Sequence, residues 1–181
     1  AQEFVRLLRD VEPLDELSEK AKEMLVAWDG LMDRELVEPT VYSAFSDTLT
    51  RMVLEPILGP LAPAAFESSD RGAPRHVARI KADLPRIIET GDRTLLPEGV
   101  EWNSMMAEAL SKGVIFLNER LGGTPFGKQW KWGAVHKTRP QHTLSAAFPD
   151  LAGLLDPPSI SVHGNSDTPL QGGYSDPFTV S

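Results

Sequence analysis

A stripe of apolar residues at helical spacing, Met106, Leu110, Gly113, Val114, Leu117 and Leu121, continues for about five turns and stops at Gly122-Gly123. Most strands end within about ten residues, so a stripe of this length excludes a strand and demands one long helix with a single buried face. Asn103 is placed to cap its start, and the glycine pair supplies a left-handed stop.

The same logic organises the residues before it. Leu17, Ala21, Met24, Leu25 and Trp28 recur at steps of three and four, predicting a helix over 14–27 that Asp29-Gly30 ends. Val41, Phe45, Leu49 and Met52 share a face of a second helix running from Pro39, at a first-turn position, to Leu54. Gly59, Pro60, Pro63 and Gly72 mark residues 59–73 as a surface connection. Val77 and Ile80 give a short helix that Pro85 breaks or kinks before Gly91. Four or five helices are thus expected before residue 122.

After Gly123 short segments alternate with turn residues. Ile160-Ser161-Val162 is the best strand candidate, Trp132 to Val135 a weaker one, and Phe178-Thr179-Val180 would begin a third. The expected fold class is therefore mainly α, with a helical region over 1–122 and a strand-and-loop region over 123–181. A lone strand is unstable without a partner, so that second region reads as incomplete.

Charge and composition limit the functions available. Hydrophobic residues make up 41% and charged residues 24% of the 181, the balance of a globular protein rather than a disordered one. A formal charge of −8 repels nucleic acid and anionic lipid unless the contact is local. No apolar run approaches the ~18–20 residues that span a bilayer, so no membrane partner is expected. The start, Ala1-Gln2-Glu3-Phe4-Val5-Arg6, lacks the pattern of a secretion signal and reads as mature, trimmed or internal. With no cysteine, disulfides, thiolate zinc sites and cysteine nucleophiles are excluded.

Three stretches have the residue types for chemistry. Residues 127–142 hold Lys128, Lys131, Lys137 and Arg139 with no acidic residue, and interleave Trp130 and Trp132. Indoles can stack bases while ammonium groups track phosphates, although one indole buried and one covering a surface explains the same pattern. His136 and His142 titrate in the range of acid-base catalysts, but no G-x-S-x-G elbow accompanies them. His163, Asn165 and Asp167 suggest a cation loop, yet calcium takes about 6–8 oxygens, and a turn in which Asn and Asp bond local backbone fits better. The glycine pairs Gly122-Gly123 and Gly172-Gly173 lack the spacing of a phosphate cradle, so no cofactor is expected.

Taken together, three ordered stretches resemble the penicillin acylase (penicillin amidase) family of N-terminal nucleophile hydrolases, in the second half of the β subunit. They are Leu25-Val26-Ala27-Trp28-Asp29-Gly30 with the helix through Phe45, then Trp130-Lys131-Trp132-Gly133-Ala134-Val135-His136, then Gly164-Asn165-Ser166-Asp167-Thr168-Pro169-Leu170 with Gly173-Tyr174. The set spans about residues 14–175. Asn165 departs from the family pattern, which commonly has an acidic residue there.

The resemblance implies a self-processing parent enzyme that cleaves the amide bond of acylated small molecules such as β-lactams or acyl-homoserine lactones. An N-terminal serine would be its nucleophile, its own α-amine the base, and an asparagine with a backbone amide the oxyanion donors. It also implies an αββα sandwich braced by helices, an exported, periplasmic or secreted parent, and partners in the α subunit and the rest of the β subunit. None of that catalytic set maps onto these residues, so no catalytic, cofactor-binding or metal residue is assigned and the chain alone is expected to be inactive. Helical faces ending at Trp28, Met52 and Leu121 would then be left open, with self-association as a consequence. The alternative is a free-standing helical module that uses 127–142 to bind nucleic acid or another anion.

Overall fold

A computed structural model describes residues 1–66, 75–138 and 142–165. Eight α-helices occur among them: α1 (Gln2–Leu8), α2 (Glu16–Ala27), α3 (Glu38–Leu58), α4 (Ala62–Phe66), α5 (Arg75–Glu89), α6 (Trp102–Leu121), α7 (Trp132–Val135) and α8 (Ala152–Leu155). Three single turns of 3-10 helix, Gly59–Leu61, Lys128–Trp130 and Pro149–Leu151, lead into α4, α7 and α8.

The predicted long helix is α6, and it packs along α3 as the main contact of the fold. Its buried face carries Met106, Leu110, Val114 and Leu117, and α3 answers with Val41, Phe45, Leu49 and Val53. Burying each such side chain contributes roughly 1.5–3 kcal/mol. The axes approach closely because Gly113 has no side chain: a Cβ there would lie 3.2 Å from the Ala44 carbonyl carbon and 3.2 Å from the Phe45 nitrogen. Phe4 closes one side by packing edge-on to Phe45 at 5.9 Å, and Trp28 meets Tyr42 at 5.5 Å.

Local chemistry accounts for the boundaries. At α2 the Ser18 amide donates to Asp15 Oδ1 at 2.8 Å while the Asp15 amide donates to Ser18 Oγ at 3.1 Å, a reciprocal cap. Ser111 Oγ on α6 donates to the other Asp15 oxygen, joining the two helices. Partial burial pushes the Asp15 carboxyl up, but the bonds from Ser111 and Ser18 outweigh it and hold the group below its ordinary range.

Several boundaries differ from the sequence expectation. Pro85 neither splits nor ends α5, and α3 continues through Pro56 to Leu58. Each helix keeps one apolar face that outweighs the single lost backbone bond, with Val77, Leu84 and Ile88 buried on α5. Part of the 59–73 connection is helical, and residues 67–74 lie outside the described residues. Trp102 opens α6 with Glu101 at the cap position, two residues ahead of the expected Asn103 and without a side-chain cap bond.

The expected strand-and-loop tail and αββα sheet component are corrected: no β-strand occurs among the described residues. Trp132 to Val135 forms a helical turn, because the Trp132 and Gly133 amides are drawn to the carbonyls of Leu36 and Arg34 and cannot serve a ladder. Ile160 to Val162 makes only an isolated antiparallel bridge, Lys137 with Ser161. Pro157 and Pro158 remove donors before it, and Gly164 turns the chain at φ 82° after it. Phe178 to Val180 lie outside the described residues.

Candidate functional site

Two of the segments singled out by sequence meet a third, 31–37, in a knot of three loops, 31–37, 131–138 and 159–165, tied mostly by backbone bonds. Trp132 N donates to Leu36 O at 2.7 Å, Gly133 N to Arg34 O at 2.8 Å and Gly164 N to Met32 O at 2.8 Å. The Trp132 indole reaches across to donate to Gly164 O at 2.8 Å. Arg34 N donates to His163 Nδ1 at 3.2 Å, and Arg34 Nη1 to Ser161 O at 3.4 Å. Thr138 N donates to Ile160 O at 2.9 Å, which completes the circuit.

Gly133 is the closest point of the knot. A Cβ on it would meet Arg34 Cβ at 2.8 Å, Arg34 O at 3.0 Å and Ser161 Cβ at 3.1 Å. Only a residue without a side chain lets all three loops touch there. Upstream, Gln129 Nε2 donates to both Gly122 O and Thr124 O at 2.7 Å, fastening the end of α6 to the loop that delivers Trp130.

The indoles and the basic residues are placed differently from a stacking platform. Trp130 and Trp132 are 0% and 1% exposed, so both are core residues and neither offers a face to a base. One buried indole and one surface indole had been expected. Phe126, at φ 60°, packs against Trp130 at a centroid distance of 5.0 Å. Lys131 is engaged by Glu35 at 3.0 Å. Arg139 lies outside the described residues.

His136 is 4% exposed and stacks on Trp132, with ring centroids 4.5 Å apart and planes 18° from parallel. Neither ring nitrogen has a partner among the described residues. Burial pushes its pKa below the ordinary imidazole value, so the neutral ring is favoured. His142 stands apart on the surface, its Nδ1 accepting from the Leu144 amide at 3.2 Å. His163 accepts from Arg34 and lies 3.5 Å from Asp33 Oδ1. Asp167, the central oxygen of the considered cation loop, lies outside the described residues; among those described, no three His, Asp or Glu residues are grouped to hold a metal. No described helix is long and apolar enough to cross a membrane.

Arg34 and Ser161 were missed by sequence inspection. Both act through or beside backbone groups, and neither sits in a pattern that advertises a contact more than a hundred residues away.

The knot brings together the described parts of the stretches on which the resemblance rests: Trp28 donates from its indole to Leu31 O at 3.1 Å at its edge, Trp132 and His136 form its middle, and Gly164 closes it, while the rest of the third stretch, from Ser166 on, lies outside the described residues. An all-helical block whose loops converge in this way is matched by the family model described as Penicillin amidase over residues 1–181, and the chain belongs to the penicillin amidase family. It is 32% identical over 162 residues to the penicillin acylase 2 proenzyme of Pseudomonas sp. (strain SE83). That match takes in 86% of this chain but only 19% of the proenzyme, so the chain spans about a fifth of the length of this relative.

Proposed function

We propose that these residues form the helical supporting part of a penicillin-acylase-type amidohydrolase, corresponding to the second half of its β subunit. The parent hydrolyses the amide bond of acylated small molecules such as β-lactams or acyl-homoserine lactones. Its nucleophile and oxyanion donors are carried on polypeptide outside this chain, and its partners are the α subunit and the remainder of the β subunit. The parent is made as a self-processing zymogen and exported to the periplasm or beyond. Within it, residues 1–122 are a helical region and residues 123–181 a second region that is incomplete without the remainder.

The observation that carries this proposal is the family match along 1–181 combined with a span of only 19% of the proenzyme relative. Hydrolases of this kind draw most of their rate from a positioned nucleophile and preorganised donors, so a supporting segment has little activity of its own. The test is turnover of a phenylacetyl or fatty-acyl amide by the purified 181-residue chain and by the full-length polypeptide that contains it. Hydrolysis is expected from the second alone. Hydrolysis by the chain alone overturns the supporting role, and inactivity of both overturns the amidohydrolase.

A further inference from the structure

Residues 142–160 form a loop clasped by one carboxylate. The Asp156 carboxylate clasps the two ends of this loop by accepting from the His142 amide at 2.8 Å and from Ser145 Oγ. Ser145 is buried, and the Ser145 and His142 bonds hold the Asp156 carboxyl below its ordinary range. Short turns complete the loop, with Phe148 N donating to Leu144 O at 2.9 Å and Asp156 N to Ala152 O at 2.8 Å.

Thr143, Asp150 and Ser159 face solvent, and beside them the loop presents large apolar side chains to water. Leu144, Phe148, Leu151, Leu154 and Ile160 are 50%, 55%, 48%, 83% and 58% exposed. The buried hydrophobic core is built from other residues. Elsewhere exposed large apolar residues occur singly, as Leu14 and Leu31, or in twos, as Ile57 with Leu61 and Ile115 with Phe116. Single exposed apolar residues are ordinary, whereas five large ones left exposed on one clasped loop are what an interaction site would use.

We infer that this loop is the docking surface through which the chain seats on the remainder of its own acylase polypeptide. This rests on the supporting role proposed above. The occupant follows from length: the proenzyme relative has about four-fifths of its chain beyond the 19% matched, and that polypeptide must meet this segment somewhere. The faces first expected to be open do not serve. Trp28 is buried, and Met52 and Leu121 are half-buried against the core.

The absence of cysteine provides the experiment. Phe148→Cys and Leu154→Cys are made separately, and the rate of maleimide labelling at each thiol is followed by mass spectrometry in the isolated chain and in the full-length polypeptide. Labelling in the isolated chain should approach the rate of the denatured chain and be slowed more than tenfold in the full-length protein. Equal rates in both would overturn the docking surface. So would protection in the isolated chain that grows with concentration, which would make a second copy the occupant. Amidase activity of the same full-length samples is read separately. Protection without activity leaves the surface standing and removes the amidohydrolase, and activity without protection does the reverse.

Discussion

The α3–α6 interface and the three-loop knot join distant parts of the chain by opposite means. At the interface the contact is made by side chains, and the backbones enter only where Gly113 lets α6 settle against Ala44. In the knot the contact is made largely by backbone groups, and side chains enter where the Trp132 indole reaches Gly164 O, His163 meets the Arg34 amide and Arg34 reaches Ser161 O. The interface depends on volume, which neighbouring residues share. The knot depends on geometry, which each bond holds almost alone. Loss of a core side chain should therefore weaken the whole molecule, while a disturbance in the knot should stay local.

The largest effect expected is at the interface. Phe45→Ala, removing a ring that is 0% exposed, should cost about 3–5 kcal/mol by chemical denaturation and lower the whole helical signal in one transition. A loss below about 1 kcal/mol would show that the interface is not the centre of stability.

Gly133→Ala tests the other side of the comparison. The added Cβ has no room between Arg34 and Ser161, and overpacking of this kind costs about 1–3 kcal/mol. Amide exchange at Gly133, Gly164 and Trp132 should accelerate while the helical circular dichroism stays within error of the parent. A matching loss of helix would show that knot and interface are a single cooperative unit.

A smaller, pH-dependent effect sharpens the contrast. Burial lowers the His136 pKa in the folded state, so on acidification the unfolded chain takes up the proton first. The stabilisation from the neutral ring is fully present above the unfolded value of about 6.5 and is lost as pH falls from there toward the folded value. Tryptophan fluorescence should report loosening of the Trp132 stack in that window, and His136→Phe should remove the dependence. An unchanged profile in the variant would place the titration on another group.

The smallest effect belongs to a helix end. Asp15→Ala should cost about 1 kcal/mol through loss of the α2 cap. Because the Asp15 carboxyl sits below its ordinary range, the cap's contribution is present at neutral pH and disappears as pH falls through the folded value. Loss of thermal stability near pH 7 but not near pH 2 would bear this out; equal losses at both would point to packing rather than charge.

These differences also explain what could be read in advance. The helices α2, α3 and α6 were legible because burial of one face imposes spacing on the residues that supply it. The helix α1 was not, since seven residues with Phe4, Val5 and Leu8 buried are too few to establish a period. Trp130 and Trp132 alternate like strand residues, yet both are buried on turns of helix, because the Trp132 and Gly133 amides are claimed by loop 31–37. The knot left no periodic trace, for a backbone donor looks the same whichever residue carries it. Two of its stretches stood out by residue type, the lysines and indoles of 127–142 and the His163–Asp167 turn, whereas loop 31–37 carried no signal. The exposed face of loop 142–160 was hidden for another reason: Leu144, Phe148, Leu151 and Leu154 recur at the steps of three and four that mark a buried helical face, yet the short turns there leave those side chains in water.

The Arg34–His163 bond joins residues 129 positions apart. On a ribosome adding about 5–20 residues per second, that interval is on the order of ten seconds. Loop 31–37 must wait that long, adjacent to helices that form in microseconds, before its last partner exists. The knot is therefore a late clasp on an early scaffold: until it closes, the carbonyls of Met32, Arg34 and Leu36 are served by water, and the order in which the molecule becomes rigid follows the order in which it is made.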